Sequence, residues 1–133
     1  MRGLLYDGGP NAGWVFLLVT IVLGGAAAWA SGRAMALTWR TFARAPAAML
    51  ALSAAVCFLH YALFDEAAIP LTRLGRAMSQ WGSDPAGALA GAASALHYLG
   101  VTFVLLLGFA AAGFRLTRER QISRQYPWIA AVG

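Results

Sequence analysis

Three long stretches of the 133-residue chain contain no Asp, Glu, Lys or Arg, and they constrain its fold more than any other feature. They cover residues 8–32, 45–64 and 85–114. Because a helix rises about 1.5 Å per residue, each stretch is long enough to cross the roughly 30 Å of bilayer hydrocarbon. Only 11% of the residues are charged, whereas a soluble domain carries about 25%. The sequence therefore excludes a water-soluble globule and predicts an all-α membrane protein with three transmembrane helices.

Local signals at the ends of these stretches predict where the helices begin and end. Asn11 follows a Gly-Gly-Pro turn and is a typical N-cap, and Pro46 suits the first turn of a helix. Asp65 marks an exit into water, and Arg115 is the first charge after the third apolar run. The predicted spans are residues 12–31, 46–64 and 94–114, in a single membrane domain that ends in a cytoplasmic tail, 115–133. Residues 85–93, rich in alanine and glycine, could lengthen the third helix as a tilted entry.

The ten basic residues, all arginine, determine the expected orientation, because short loops rich in Lys and Arg stay in the cytoplasm. The loop after the first span holds three arginines and the tail four, whereas the N-terminus holds one and the second loop two. We therefore expect a bacterial inner-membrane protein with its N-terminus outside and its C-terminus in the cytoplasm. Since the arginines flank the spans, the net charge of +5 indicates anionic headgroups or topology rather than nucleic acid.

The two connecting segments are amphipathic and predict one or two short interfacial helices. In residues 33–44 the three arginines fall within about 40° of one another on a helical wheel, opposite Met35, Trp39 and Phe42. This segment either docks to a partner or to anionic lipid, or serves only as a topology signal with aromatic anchors. In the second loop an apolar repeat predicts another surface helix. It consists of Leu71, Leu74, Met78 and Trp81.

Histidine occurs twice, each time in the tripeptide Leu-His-Tyr, at His60 in the second stretch and at His97 in the third. The expected topology places both near the outer face. Two histidines on neighbouring helices could ligate a haem or a metal. We expect instead a polar contact between the two helices or an anchor at the interface, since the pair lacks the further ligands of a zinc site. No cofactor is predicted.

Small residues recur at four-residue spacing in each apolar stretch and allow close helix packing, either within the chain or against another protein. They are Gly24, Gly25 and Ala28, then Ala47, Ala51 and Ala55, and finally Gly108 and Ala112. The stretches contain no acid that an ion-coupled transporter would need, and the sequence has no phosphate-binding loop or nucleophile elbow. The expected protein is therefore not an enzyme and has no small-molecule substrate of its own.

A series of short motifs extends along nearly the whole chain. It comprises Gly3-Leu4-Leu5-Tyr6, Phe16-Leu17-Leu18-Val19-Thr20, Leu23-Gly24-Gly25, Gly32-Arg33-Ala34, Thr38-Trp39-Arg40, Phe58 with His60, Ala62-Leu63-Phe64, Leu96-His97-Tyr98, Gly113-Phe114-Arg115-Leu116-Thr117-Arg118, and Gln125-Tyr126 with Trp128. In these motifs the chain resembles an uncharacterised family of small three-span inner-membrane proteins of bacteria, whose genes tend to lie beside those for branched-chain amino acid ABC transporters. The resemblance implies an accessory role to such a transporter. Residues 65–93 depart from it, because this loop is longer than the family leads us to expect.

The leading hypothesis is a non-enzymatic accessory subunit of a larger inner-membrane complex, with arginine and aromatic side chains on its cytoplasmic side as the docking surface. The residues expected in that surface are Arg33, Trp39, Arg40, Arg44, Arg115, Arg118, Tyr126 and Trp128. Two alternatives remain open. One is a haem-binding or redox-associated protein that uses His60 and His97, and the other is a small subunit of a respiratory or photosynthetic complex.

Overall fold

The computed structural model describes residues 10–64 and 70–130, and helices make up most of both ranges. The helices are α1 (Ala12–Leu37), α2 (Ala45–Phe64), α3 (Pro70–Gln80), α4 (Pro85–Gln125) and the single turn α5 (Pro127–Ala130). A 3-10 turn, Phe42–Arg44, leads into α2. Helices α1, α2 and α4 contain segments long and apolar enough to cross a membrane. The predicted all-α membrane fold is confirmed.

Helices α1 and α4 form the most extensive pair, and the residues that they bring together show that they run in the same direction. A Cβ atom built on Gly24 would lie 3.1 Å from a methyl group of Leu106, and further along the pair one built on Gly113 would lie 2.5 Å from the carbonyl oxygen of Trp29. Helix α2 joins the pair in the core through Met49 and Val56. The result is a three-helix bundle in which α4 returns parallel to α1.

The backbones of α1 and α4 meet without intervening side chains at their closest approach. Gly25, Ala28, Gly32 and Ala36 are all buried on α1, and a Cβ at Gly32 would overlap the carbonyl group of Ala110 on α4. This small-residue spacing is the one that lets membrane helices approach closely. The sequence left open whether the small residues pack within the chain or against another protein. In the described part of the structure, the predicted stripe on α1 packs within the chain.

The small residues predicted on the other two helices behave differently. Ala47, Ala51 and Ala55 are exposed on α2, and a Cβ at Gly108 would meet no atom within 4 Å among the described residues. The α2 stripe and Gly108 therefore face away from the bundle, whereas Ala112 is half-buried.

Helix α4 includes residues 85–93, the possible extension of the third span, and it ends later than predicted. Its N-cap is Asp84, whose Oδ1 accepts a hydrogen bond of 3.0 Å from the backbone N–H of Gly87, and it continues to Gln125 instead of ending near Phe114. The prediction equated the end of the helix with the end of the apolar run. Residues 115–125 contain no Gly or Pro and are rich in good helix formers, so the helix continues into polar sequence until Pro127 stops it.

The interfacial helix predicted over residues 33–44 is absent from the described chain. Helix α1 absorbs the first part of the segment and ends at Leu37 in a Schellman-type cap, in which Arg40 N–H donates to the Met35 carbonyl (3.0 Å). Trp39 occupies the left-handed position of that cap, with φ of 55°. The reversal of the chain there prevents a continuous helix. The second surface helix, predicted from the loop repeat, is confirmed as α3.

We predict that Gly113→Ala destabilises the bundle by about 1–3 kcal/mol, because the added methyl group must displace the backbone of α1. Gly108→Ala is the matched control on the same helix, since its Cβ points into open space, and it should be neutral or stabilising by up to about 1 kcal/mol. The measurement is the free energy of unfolding of both variants in mixed detergent micelles. Equal stabilities would show that α1 and α4 do not pack at Gly113.

Candidate functional site

A buried polar contact joins α1 to α2 inside the bundle. The Thr20 hydroxyl lies 3.0 Å from Nε2 of His60, and Thr20 is 1% exposed. Which of the two groups donates depends on the tautomer of the imidazole. His60 therefore makes a polar contact between two helices, and the partner in this contact is Thr20 on the first helix. The expected contact between the second and third helices stays a prediction.

Thr20 lies in a π-helical segment of α1, Phe16–Gly24, which the sequence did not predict. A π-helix has hydrogen bonds between residues five apart. One such bond closes the segment, where the backbone N–H of Gly25 donates to the carbonyl of Thr20. Long π segments are rare and frequently accompany functional or strained positions. Here the segment includes the side chain that bonds to His60, and it leads directly into the small residues that contact α4.

The second predicted histidine, His97, lies on an exposed part of α4. Its ring packs edge-on against Tyr98, with the centroids 5.3 Å apart and an interplanar angle of 78°. Among the described residues no three side chains of the types His, Cys, Asp and Glu gather as a metal-ligand set. The structure thus gives the two histidines different surroundings, one inside the bundle and one on its surface.

We use the name arginine end for one end of the bundle. There α1 stops, α2 starts and α4 passes Arg115. An aromatic cluster closes the first loop onto α4 there. The guanidinium carbon of Arg118 lies 4.2 Å from the centroid of the Trp39 ring and 5.5 Å from that of Phe114. Phe114 also packs on Phe42, at 5.3 Å between centroids. Cation–π contact of this kind contributes about 0.5–2 kcal/mol and compensates for the left-handed backbone at Trp39.

A groove of about 180 Å³ opens beside this cluster, between the last turns of α1 and the part of α4 beyond Phe114. Its walls combine three guanidinium groups with apolar side chains. The lining residues are Trp29, Arg33 and Leu37 from α1, and Leu116, Thr117, Arg120, Gln121 and Arg124 from α4. We call it the arginine groove.

The predicted docking residues fall into three groups. Trp39 and Arg118 contact each other, Arg33 lines the arginine groove, and the others are exposed to solvent at or beyond the arginine end. These exposed side chains are Arg40, Arg44, Arg115, Tyr126 and Trp128. The predicted set is therefore distributed over one end of the molecule, with two of its members satisfied within the chain.

Sequence reasoning missed the α4 wall of the groove. Thr117, Arg120, Gln121 and Arg124 repeat at three and four residues, the spacing of one helical face. That signal was present, but it has meaning only in a helix. Since the helix was expected to end near Phe114, these side chains were assigned to a tail.

Comparison with known proteins gives one family similarity. Residues 11–75 match a family described as a domain of unknown function, DUF6867. The matched part includes α1, α2 and the described start of α3, whereas α4 lies beyond it. No curated protein and no solved structure matches the chain.

For the buried polar contact we predict a coupling energy of about 0.6–1.7 kcal/mol between Thr20 and His60, the range of polar contacts between membrane helices. A double-mutant cycle with Thr20→Val and His60→Ala measures it through the free energy of unfolding. His97→Ala is the control and should not couple to Thr20→Val. Additive effects of the Thr20 and His60 substitutions would contradict the contact.

The same preparations test the haem alternative. We expect the purified protein to show no Soret band. A band in the native protein that disappears when His60 and His97 are both replaced by alanine would establish the haem-binding alternative instead.

Proposed function

We propose that this protein is a non-enzymatic accessory subunit of a larger bacterial inner-membrane complex. The partner implied by the resemblance described above is a branched-chain amino acid ABC transporter. In this proposal the N-terminus is outside and the arginine end is cytoplasmic, as the distribution of arginines between short loops predicts.

The proposal is supported by the extension of α4 beyond its apolar stretch. The helix continues from Arg115 to Gln125, which is about 16 Å at 1.5 Å per residue. It ends in two aromatic side chains, Tyr126 and Trp128, which are 45% and 63% exposed. A helix that projects into water and presents large rings at its tip is better suited to contacting another protein than to stabilising its own fold.

The two rings at the tip are already arranged relative to each other. Tyr126 and Trp128 pack edge-to-face, with centroids 5.6 Å apart and an interplanar angle of 85°. Aromatic side chains supply a large contact area and are enriched among the residues that dominate binding energies. Because the pair is ordered before binding, less conformational entropy is lost when a partner covers it.

The charge of the arginine end favours a partner with acidic surface groups. Arg40 and Arg44 are exposed on the loop, and Glu119 is the only acid in the sequence after Asp84. Charge complementarity of this kind steers association and selects between partners. Acidic cytoplasmic loops or the carboxyl ends of helices in a permease would complement it.

The membrane part also leaves room for a partner. In the most apolar window of the three spans, only 39%, 28% and 22% of the residues are buried within the chain. Three helices thus enclose little interior for a substrate path or an enzyme site. They offer long lateral faces, including the exposed alanine stripe of α2, on which a larger membrane protein can pack.

We predict that Tyr126→Ala with Trp128→Ala reduces co-purification of the partner at least tenfold, since loss of a dominant aromatic contact removes about 1.4 kcal/mol or more. The full chain, tagged at its N-terminus so that the α4 tip stays free, is extracted in mild detergent, and the recovered integral membrane proteins are quantified by mass spectrometry. Trp81→Ala is the matched control, because Trp81 is also an exposed tryptophan after a helix, 57% exposed, but lies outside the arginine end.

A second variant, Arg40→Gln with Arg44→Gln, tests the electrostatic part of the same surface. It should lower recovery of the partner while a reporter fused after Gly133 still reads as cytoplasmic, because the α4 arginines maintain the orientation. Undiminished recovery in both variants, with correct orientation, would remove the docking surface. Recovery of no membrane partner by the native chain would refute the accessory role itself.

A further inference from the structure

The arginine groove combines apolar and cationic surface, and its inner end is apolar. Trp29 lies one helical turn before Arg33 on α1, about 6 Å deeper along the axis, and Leu116 lines the same groove from α4. Arg120 and Arg124 follow at the outer end of the α4 wall. The inner part of the groove is therefore apolar, and its outer part carries the three arginines together with Leu37.

The arginines of the groove begin at the expected surface of the hydrocarbon. Arg33 is the first charged residue after the charge-free stretch of α1, and Arg115, next to Leu116, is the first after that of α4. Charged side chains at span ends lie at the level of the lipid headgroups. The groove thus begins in hydrocarbon and opens at the depth of the lipid phosphates.

The three guanidinium groups of the groove have no acidic partner in the described part of the chain. Glu119 is the nearest acid in sequence, but at about 100° per residue it lies about 130° around α4 from the middle of the groove face. Arg118, by contrast, is occupied by the rings of Trp39 and Phe114. Arginine binds phosphate oxygens with two parallel N–H donors, and an anion placed here relieves the mutual repulsion of Arg33, Arg120 and Arg124.

The apolar side chains of the groove favour a lipid over a free anion as its ligand. Leu37, Leu116 and Trp29 are 51%, 42% and 37% exposed, so the groove presents hydrocarbon surface directly beside its arginines. A free phosphate or a nucleotide would leave this surface uncovered, whereas a phospholipid covers it with an acyl chain while its phosphate reaches the arginines. The groove, about 180 Å³ in volume, is large enough to hold one phosphodiester group.

We propose that the arginine groove is a binding site for one anionic phospholipid, which places its phosphate between Arg33, Arg120 and Arg124 and its acyl chain along Trp29 and Leu116. Arg33 belongs both to the expected docking surface and to the groove. The two proposals are still tested separately, because none of the residues altered in the docking test lines the groove. It assigns a function to the part of α4 that crosses from the membrane into the cytoplasm.

The test measures lipid binding to the purified full chain in detergent by native mass spectrometry, with phosphatidylglycerol as the anionic lipid and phosphatidylcholine as the zwitterionic one. The native chain should retain one phosphatidylglycerol in preference to phosphatidylcholine. Arg120→Gln with Arg124→Gln should weaken that binding about thirtyfold or more, since each arginine near a lipid surface contributes roughly a factor of five to ten.

The matched control is Arg40→Gln with Arg44→Gln, which removes the same charge from the same end of the molecule but outside the groove. It should change the binding less than about threefold at physiological salt, where the Debye length is about 8 Å. Arg120→Lys with Arg124→Lys keeps the charge and the helix but loses the paired donors, so it should bind more weakly than the native chain.

Three outcomes would overturn the proposal. The first is equal loss of binding in the groove variant and the control, which would indicate general surface attraction. The second is competition by inorganic phosphate or glycerol phosphate as strong as that by the lipid, which would indicate a free anion. The third is displacement of the lipid by an acidic peptide with no preference for phosphatidylglycerol, which would indicate a protein segment as the occupant.

Discussion

The direct backbone contact between α1 and α4 is the interaction on which the rest of the structure depends. Lipid tails are as apolar as leucine, so the hydrophobic effect does not drive membrane helices together, and close van der Waals packing must do so. Gly32 against the Ala110 carbonyl and Gly113 against the Trp29 carbonyl provide that packing. A side chain at either glycine would separate the helices and with them both walls of the arginine groove.

Two further contacts hold the remaining parts to this pair. The hydrogen bond between Thr20 and His60 attaches α2 to α1 on one side of the crossing, and Arg118 stacked on Trp39 attaches the first loop to α4 on the other. The π segment of α1 belongs to the same arrangement, because it buries Thr20 and ends at Gly24, where Val56 and Leu106 meet. Together these contacts leave the arginine end ordered but open to partners and lipid.

Charge-free stretches and amphipathic repeats were sufficient to predict three spans and the surface helix α3. Both membrane burial and helix periodicity depend on residues that are close together in the sequence. Helix ends could not be predicted in this way, because residues with high helix propensity continue after the apolar stretch has ended, as they do from Arg115 to Gln125. Nor could the left-handed turn at Trp39 be predicted, because that conformation is strained for tryptophan and depends here on the local cap and on the contact with Arg118. The partner of His60 and the groove wall formed by Arg120 and Arg124 both depended on knowing these helix positions.

The parallel arrangement of α1 and α4 continues past Arg33 and Arg115, and crosslinking between introduced cysteines measures it most directly. In a chain with Cys57→Ala, which removes the only cysteine, Leu37→Cys and Gln121→Cys place one thiol on each wall of the groove. A short bifunctional thiol reagent applied to native membranes should join them within one chain. The control pair, Leu37→Cys with Leu96→Cys near the opposite end of α4, should stay unlinked. Crosslinking of the control pair, or of neither pair in a folded protein, would contradict the account.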